Sequence, residues 1–460
     1  METDVSMFSS LTKQALTDQH ERRRVAWHTA LGVAIFVVSA CHGMLDVSDP
    51  TLIQQSDVAN ASGAAGRRLT AYSGFNGNIS PIAREVAIFT DELSFDEPLQ
   101  RANPSDELLL DSRNSNGYEG IHLGDDPHLG RLDGVVTATS LAIPSVRQYT
   151  PSPLKGDFLA QLFAYRGWAL TQMGEDVCPG FPITDVTVNQ VLVYSKPYTN
   201  DSAFVLAITQ LDSAIAEAQD STQYATFAKI LKGRALLDLG RYDEAAQAVA
   251  GISDSFVLTT DPSYSNYLFN VDDGNDPDWP FYGYPIGDRE GGTGLPYLSE
   301  QDTIRIPRRY VRQGFNDTTI AEYAETKYSQ TTPTVVASGT EARLIEAEAA
   351  LHNNDPNWLT ILNALRTPVG LSPLTDPGSP DTRVDLLYHE RAYWMWLTGR
   401  RLGDLRRLIR NYGRDATVLF PSGPNPFIAL APYQSATAIP FSFANEAEFN
   451  PNITQGCMTR

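Results

Sequence analysis

Two acidic stretches carry side chains of the types that bind metal ions or exchange protons. His122 and His128 lie six residues apart, and Val271–Asp278 offers several carboxylate oxygens within eight residues. Calcium binds such oxygens, but the spacing differs from that of an EF-hand loop. We therefore expect solvated loops at both places and no cofactor, with calcium at the second stretch as the alternative. Glu92 and Asp96 form one of many carboxylate pairs that an acidic surface offers.

The sequence contains none of the common catalytic motifs. A nucleophile elbow, a zinc-protease HExxH motif, a phosphate-binding P-loop and a glycine-rich dinucleotide turn after a strand are all missing. No closely spaced cysteine pair and no cysteine–histidine cluster indicates a zinc site. We therefore expect that the protein is not an enzyme.

Cys41 follows a segment with the features of an export signal. Glu21–Arg24 supplies a basic lead, Val25–Ala40 is mostly apolar, and small residues precede the cysteine. This order resembles a lipoprotein signal, so it predicts a signal peptide over residues 1–40, cleavage before Cys41 and a membrane-anchoring lipid on its thiol. As a helix, the apolar run would extend about 24 Å, whereas the hydrocarbon core of a bilayer is about 30 Å thick. Soluble export and a retained membrane anchor are the alternatives.

The two other cysteines, Cys178 and Cys457, are far apart in the sequence. In an oxidising compartment two such cysteines often pair, so we expect a disulfide between them. On the chain-entropy model, closing so long a loop stabilises the fold by about 3–5 kcal/mol. The alternative is two separate buried thiols.

The chain has a formal net charge of −20. The four basic and four acidic residues among the first 41 cancel, so the whole charge belongs to the remainder of the chain. Such acidity argues against binding to nucleic acid, or to an anionic membrane surface through charge. The normal apolar content predicts a globular protein with one large core or two domains.

Aromatic residues are dense between residues 264 and 297, where eight rings fall within 34 residues. In a segment rich in Asp and Asn, such rings stack on sugars or receive peptide side chains, while the polar groups bond to hydroxyls. Trp279, Tyr282 and Tyr284 are the candidate ligand contacts. The alternative is that the rings fasten a long insertion to the core.

Apolar periodicity predicts helices in three stretches, Asp157–Met173, Ser202–Val249 and Thr340–Leu365, and Gly174 is expected to end the first. Residues 74–156, 251–339 and 413–456 read as loops and short strands, with one short helix near Ile82–Leu93. The predicted buried stripe of the second stretch consists of Val205, Ile208, Leu211 and Ile215.

The three helical stretches share a spacing of small residues. We expect the first small residue of each pair to let a partner helix approach and the second to lie at a turn. Tyr242 and Ala245 extend the second pair into a pattern typical of a tetratricopeptide hairpin, a unit that buries its faces only by stacking. The pairs are Gly167 and Gly174, Gly233 and Gly240, and, less closely, Ala347 and Asn354.

An arginine-rich motif occupies Tyr388–Arg407. Glu390 and Arg391 lie on one predicted helix, and Asp404 and Arg406 follow a glycine break on the next. We expect Asp404 to cap the second helix and Glu390 to pair with an arginine after the turn. A buried pair of that kind specifies geometry more than it adds stability. The alternative is an arginine clamp on an anionic ligand.

This motif resembles the C-terminal helix pair of the SusD/RagB family, which consists of nutrient-binding outer-membrane lipoproteins. Glu390-Arg391, Gly399 and Asp404–Arg407 stand in the order that the family uses. The stretch Arg166–Cys178 and the C-terminal run Phe420–Cys457 fit as well. The resemblance covers roughly residues 41–460 and is weakest over 95–150 and 260–335.

The resemblance implies a mostly α fold, with a tetratricopeptide-like helical scaffold that carries irregular loop and short-strand insertions. One SusD/RagB-like domain would span residues 41–460. Its scaffold would cover about 60–250 and 340–411, its insertion about 251–339, and its irregular C-terminal segment about 412–460. The ligand loops would come from the insertion and from about Asp91–Tyr118.

The resemblance also implies a function. The protein would be held on the outer membrane by the lipid at Cys41, facing the cell exterior. It would bind an oligosaccharide or peptide and deliver it to a TonB-dependent β-barrel transporter. The alternative is a tetratricopeptide envelope lipoprotein that scaffolds other proteins and binds no nutrient.

Overall fold

The computed structural model describes residues 58–96, 106–115, 127–187, 189, 191–218, 222–269, 284–289, 293–314, 317–426 and 432–458. The predicted signal peptide lies outside these residues. Five other sequence predictions also fall outside them, and they concern Cys41, His122, the acidic run Val271–Asp278, Trp279 and Tyr282.

Helices carry most of the described fold, as the sequence predicted. Among the described helices, none combines the length and the apolar character needed to span a bilayer. The helices are α1 (Ala61–Phe89), α2 (Asp106–Asp111), α3 (Pro127–Tyr149), α4 (Leu154–Asp176), α5 (Asn200–Glu217), α6 (Thr222–Asp238), α7 (Tyr242–Val249), α8 (Gly339–His352), α9 (Asn357–Arg366), α10 (Pro380–Trp394), α11 (Arg401–Tyr412), α12 (Ala416–Leu419) and α13 (Phe443–Phe449).

The strands are short and pair in twos. β1 (Thr184–Val186) pairs with β2 (Leu192–Tyr194), and β4 (Arg308–Gln313) pairs with β5 (Ala321–Glu325). β3 (Val257–Thr259) pairs with β6 (Val335–Ser338), which leads directly into α8. All three pairs are antiparallel. The pair β3–β6 closes the base of the insertion, so the excursion leaves and rejoins the helical scaffold at one place.

The segment 74–156, predicted to be mainly loop, contains much of α1 and all of α3. Each of these helices has an internal proline, Pro81 in α1 and Pro144 in α3. The predicted short helix near Ile82–Leu93 corresponds to the C-terminal end of α1. The rest of α1 and all of α3 were not predicted, because proline and glycine lower helix propensity. Tertiary packing outweighs that cost, because the two helices pack against each other and α3 also packs against α4.

Helices α4 and α5 approach closely through two glycines. A Cβ atom on Gly167 would lie 2.5 Å from Leu211 Cδ2, and one on Gly174 would lie 2.5 Å from Phe204 Cε1. The predicted role of Gly167 is confirmed. The prediction that Gly174 ends the helix is wrong, because α4 continues to Asp176.

The buried face of α5 differs from the predicted stripe. Val205 is 53% exposed, whereas Leu211 is fully buried. Ile208 and Ile215 are only partly buried. Alanines and one phenylalanine form the packed face because the glycines of α4 leave room for them. The buried residues of α5 are Asn200, Ala203, Phe204, Ala207, Leu211 and Ala214.

The tetratricopeptide-like hairpin is formed by α6 and α7. Gly240 has φ +70° at the turn between them, a conformation that glycine adopts without strain. A Cβ atom on Gly233 would lie 2.7 Å from Val249 Cγ1, so the first small residue permits the close approach. Asn354 has φ +56° at the turn after α8, as the looser match predicted. Consecutive helices from α3 to α9 pack in this pairwise manner.

Two apolar cores hold these elements together. The first joins α3–α7 with Ala71–Ile82 of α1 and with the strands β3 and β6. The second joins α8–α11 with Ala83–Phe89 of α1 and with residues of the insertion between those two strands. α1 contributes to both, so its position is defined along its whole length.

Candidate functional site

The arginine motif joins α10 to α11 through a buried ion pair. Arg391 donates from Nε and Nη2 to the carboxylate oxygens of Asp404 at 3.0 and 2.8 Å. The helix cap position belongs to Arg400, and Asp404 lies inside the first turn of α11. The predicted capping role of Asp404 is therefore wrong. A charged guanidinium is a stronger partner for the carboxylate than a backbone amide.

Glu390 fastens α10 to the insertion. It accepts from Arg305 at 2.9 Å and from Arg366 at 2.5 Å, so the predicted partner, an arginine after the turn, is wrong. Burial by itself would raise the pKa of Glu390. The hydrogen bond with His389 and the two guanidinium groups outweigh burial and lower that pKa to about 2. Glu390 therefore stays ionised over the physiological range.

Arg407 is the centre of a buried charge network. Its guanidinium donates to Glu348 at 2.8 and 3.1 Å, to Asp404 at 2.7 Å and to Asp238 at 3.2 Å. The Tyr388 hydroxyl accepts from Arg407 Nε at 2.9 Å. Burial would lower the pKa of Arg407, but the carboxylates and the phenol hold it well above its usual value. The network ties together α6, α8, α10 and α11.

Arg406 closes the C-terminal end of α4. It donates to the carbonyl oxygens of Glu175 at 2.6 Å and Val177 at 3.1 Å, and to Asn200 Oδ1 at 3.1 Å. The last carbonyl oxygens of a helix lack donors within the helix. Arg406 of α11 supplies donors to these carbonyls at the end of α4.

The arginine motif is therefore a structural element of the scaffold. Arg391 and Arg407 are each only 1% exposed. Both guanidinium groups are already bonded to carboxylates, so they present no surface on which an anionic ligand could be clamped.

His128 is fully buried, which corrects the expectation of a solvated loop. It lies at the start of α3, where its ring nitrogens face Glu85 of α1 at 2.7 Å and Asp176 of α4 at 3.1 Å. Burial would lower the pKa of His128, but the hydrogen bonds to Asp176 and Glu85 outweigh it and raise the pKa to about 9. Within the described residues, no group of three metal-ligating side chains gathers around a common point.

Cys178 and Cys457 form a disulfide that holds the C-terminal segment against the end of α4. Backbone hydrogen bonds reinforce this contact. Cys178 N donates to Ile439 O at 3.0 Å, and Met458 N donates to Pro179 O at 2.7 Å.

A loop lies along one ridge of α1 and sets tyrosines beside it. The ridge recurs every four residues, as Tyr72, Asn76, Ser80 and Arg84. Tyr72 donates from its hydroxyl to Asp261 at 2.6 Å, and Asn76 Oδ1 accepts from the amide of the same aspartate at 2.8 Å. One turn further along, Ser80 Oγ accepts from a backbone amide of the loop at 3.1 Å. The ridge therefore positions the loop after β3 along its length.

Four tyrosines follow this ridge, and we refer to them as the tyrosine row: Tyr72, Tyr264, Tyr267 and Tyr284. The rings of Tyr72 and Tyr264 are 6.5 Å apart and meet edge to face. Tyr267 is 51% exposed, and the other three are partly buried. From Tyr72 to Arg84, α1 rises about 18 Å, so the tyrosine row is spread along that length of the helix.

Arg84 lies at the Tyr284 end of the row. Its guanidinium carbon is 5.8 Å from the ring centroid of Tyr267 and 5.4 Å from that of Tyr284. Both distances suit cation–π contacts. Every other residue from Ile79 to Phe89 is buried, so Arg84 is the one side chain by which this part of α1 reaches the surface.

Tyr284 is placed by a junction between two chain segments. Leu93 and Ile286 form an antiparallel bridge, and Ser94 N donates to Pro285 O at 2.9 Å. The rings of Phe95 and Tyr284 lie 5.4 Å apart. The structure thus joins the segment after α1 to the insertion, the two places to which the resemblance assigned the ligand loops. Tyr284 fastens the insertion and also contributes to the tyrosine row.

Tyr284 was predicted from the sequence as a candidate ligand contact, whereas Tyr72 and Arg84 were not. Tyr264 and Tyr267 were counted in the aromatic cluster without being selected. The missing signal was α1 itself, because only a helix turns the four-residue spacing from Tyr72 to Arg84 into a ridge.

The overall fold matches that of solved SusD-like proteins. Surface glycan-binding protein A from Bacteroides uniformis has a TM-score of 0.61 and 14% identity, covering 86% of this chain and 99% of that one. NanU from B. fragilis has a TM-score of 0.61 and 12% identity, covering 89% and 99%. A SusD-like carbohydrate binding protein from Bacteroides vulgatus has a TM-score of 0.53 and 13% identity, covering 75% and 83%.

No protein-family model matches the chain, and no curated protein matches it in sequence. The chain nevertheless has the SusD-like fold, which confirms the fold expected from the arginine motif.

Proposed function

We propose that the protein is a glycan-binding lipoprotein of the outer membrane and that it holds an oligosaccharide along the tyrosine row. The observation that carries this proposal is the ridge of α1, along which four at least partly exposed tyrosines are distributed over a helix rise of about 18 Å. Aromatic faces stack on the apolar faces of sugar rings, and neighbouring polar groups bond to the hydroxyls. Two of the similar structures are named for glycan or carbohydrate binding.

In this proposal the protein binds its ligand and does not transform it. It is tethered by a lipid on Cys41, faces the cell exterior and delivers the ligand to a TonB-dependent transporter. A peptide is the other ligand class that an aromatic surface would accept. The exposed ring of Tyr267, with the guanidinium of Arg84 beside it, favours a sugar.

Binding can be tested with residues 42–460 on arrays of oligosaccharides and peptides. We expect glycan binding, and we expect Tyr267→Ala to weaken it about tenfold, because one stacking face is worth about 1.4 kcal/mol. Phe449→Ala is the matched control, since Phe449 is an equally exposed aromatic residue on α13. Binding of peptides alone, or equal effects of the two substitutions, would refute the proposed site.

The anchor and the transporter need separate experiments. Mass spectrometry of the membrane-extracted protein should find an acylated Cys41 at the mature N-terminus. Mild solubilisation of the outer membrane should co-purify a large β-barrel protein. A free N-terminus upstream of Cys41 would contradict the anchor, and the absence of any barrel would contradict delivery to a transporter.

A further inference from the structure

Arg84 forms no ion pair with a described carboxylate, although its charge helps to lower the pKa of the neighbouring Glu85. Its Nε atom is buried and makes no hydrogen bond. Arg391, Arg401 and Arg407, by contrast, all contact carboxylates within 3 Å. The chain carries 55 acidic against 35 basic residues, so a carboxylate partner would be easy to supply.

The surroundings of Arg84 suit an anionic group that offers two acceptor oxygens. Tyr267 and Tyr284 both lie within cation–π distance of the guanidinium. A guanidinium beside aromatic rings can still donate from its N–H edge, and that edge matches the two oxygens of a carboxylate or a sulfate. The acidic residue beside it in sequence, Glu85, is directed elsewhere, towards His128 and Arg131.

We propose that the ligand is an acidic oligosaccharide, and that Arg84 binds its carboxylate or sulfate group at the Tyr284 end of the tyrosine row. This inference rests on the proposed glycan-binding function and narrows it to one chemical class. The tyrosines bind the sugar faces whatever the charge of the glycan, and Arg84 supplies the preference for an anion. Since the net charge of the protein is −20, general electrostatic attraction cannot supply that preference.

The test uses a glycan array that carries neutral, uronic-acid-containing, sialylated and sulfated oligosaccharides. The strongest carboxylated ligand is then compared by calorimetry with its carboxyl-reduced, neutral form. We expect carboxyl reduction to weaken binding by about 10- to 100-fold, the range for a charge-assisted hydrogen-bonded contact. Arg84→Gln should weaken binding of the acidic ligand by a similar factor and leave binding of the reduced ligand unchanged. The affinity of Arg84→Lys for the acidic ligand should lie between those of the unsubstituted protein and Arg84→Gln. Lysine keeps the positive charge but loses the bidentate geometry of the guanidinium.

Arg68→Gln is the matched control. Arg68 lies on the same helix, stacks over the ring of Phe158 at 3.7 Å and also has a buried Nε without a hydrogen bond. It is sixteen residues from Arg84, outside the tyrosine row. The control should bind both ligands as the unsubstituted protein does, and equal melting temperatures would show that both variants are folded.

The outcomes separate this inference from the function on which it rests. If the protein prefers sulfated ligands and Arg84→Gln abolishes that preference, the result supports the anion site and identifies sulfate as the group that Arg84 binds. Binding of neutral glycans alone, or equal weakening of both ligand forms by Arg84→Gln, overturns the inference and leaves glycan binding intact. Failure to bind any glycan overturns both.

Discussion

Replacing Arg407 by methionine should lower the free energy of unfolding by about 3–5 kcal/mol, the range for breaking a buried ion pair. Methionine fills much of the same space, so the substitution mainly removes the charge and its hydrogen bonds. The side chain of Arg407 is 1% exposed, so water cannot take over the role of the guanidinium.

The expected loss in the free energy of unfolding follows from the number of buried charges and not from the number of hydrogen bonds. Glu348, Asp404 and Asp238 carry three negative charges, and the network balances them with three guanidinium groups. Loss of one cation leaves a net charge of −1 in the core, because the other two remain bonded. The energy is therefore that of one unpaired buried charge and not the sum of five hydrogen bonds. The remaining cations are Arg391, 2.8 Å from Asp404, and Arg410, 3.2 Å from Asp238.

A compensating substitution provides the decisive measurement. Glu348→Gln removes one negative charge, so the double variant with Arg407→Met should be about 2 kcal/mol more stable than the sum of the single effects predicts. The assay is urea denaturation at pH 7, monitored by circular dichroism and by tryptophan fluorescence. Coincident transitions would show that a single free energy of unfolding is meaningful.

Two results would refute this reasoning. Additive effects of the two substitutions would mean that the charges of Arg407 and Glu348 are not coupled. A loss below about 1 kcal/mol for Arg407→Met would mean that the network is hydrated and behaves like a surface ion pair.

Three further predictions concern the scaffold. The folded pKa of His128 is about 9 against an ordinary 6.5, so its stabilising contribution should be complete below pH 6.5 and be lost as the pH rises through 9, by about 3 kcal/mol in all. Histidine NMR titration checks this directly, and a midpoint near 6.5 would contradict it. Replacing both Cys178 and Cys457 by serine should lower stability by about 3–5 kcal/mol. Non-reducing mass mapping that finds two free thiols in the native protein would remove the basis of that figure. Gly167→Ala should destabilise by about 1–3 kcal/mol through overpacking against α5, whereas Gly66→Ala, with open space around its Cβ position, should stabilise by up to about 1 kcal/mol. Thermal unfolding of the two variants tests the opposite signs.

The fold class and the helix hairpins could be predicted from the sequence because their signals are local. Gly240 and Asn354 mark turns by their backbone conformation, and Gly233 marks a close approach, wherever they occur in a helical pattern. Helix α3 and the part of α1 before Ile82, which were not predicted, have no such local signal. Their prolines and glycines oppose a helix locally, and only the packing against neighbouring helices decides in favour of one.

The partners of the buried charged residues were also hard to predict from the sequence. Glu390 and Asp404 were expected to find partners nearby in sequence, yet Glu390 binds Arg305, 85 residues away. Apolar periodicity predicted a buried stripe for α5 that begins at Val205, and Val205 is in fact exposed. The glycines of α4 decide the register, since they make room for Phe204 and Leu211.

The fold of this protein is therefore easier to predict from its sequence than its ligand is. The residues that identify the fold, Arg391, Asp404 and Arg407, are buried and bonded to each other, so they contribute nothing to a binding surface. Ligand selection has to come from side chains that leave the core. In the described part of the chain, Arg84 is such a side chain, a cation on a helix that is otherwise buried around it. A change at Arg84 should therefore alter which glycan binds without altering the fold. A change at Arg407 should lower the stability of the fold without altering which glycan binds.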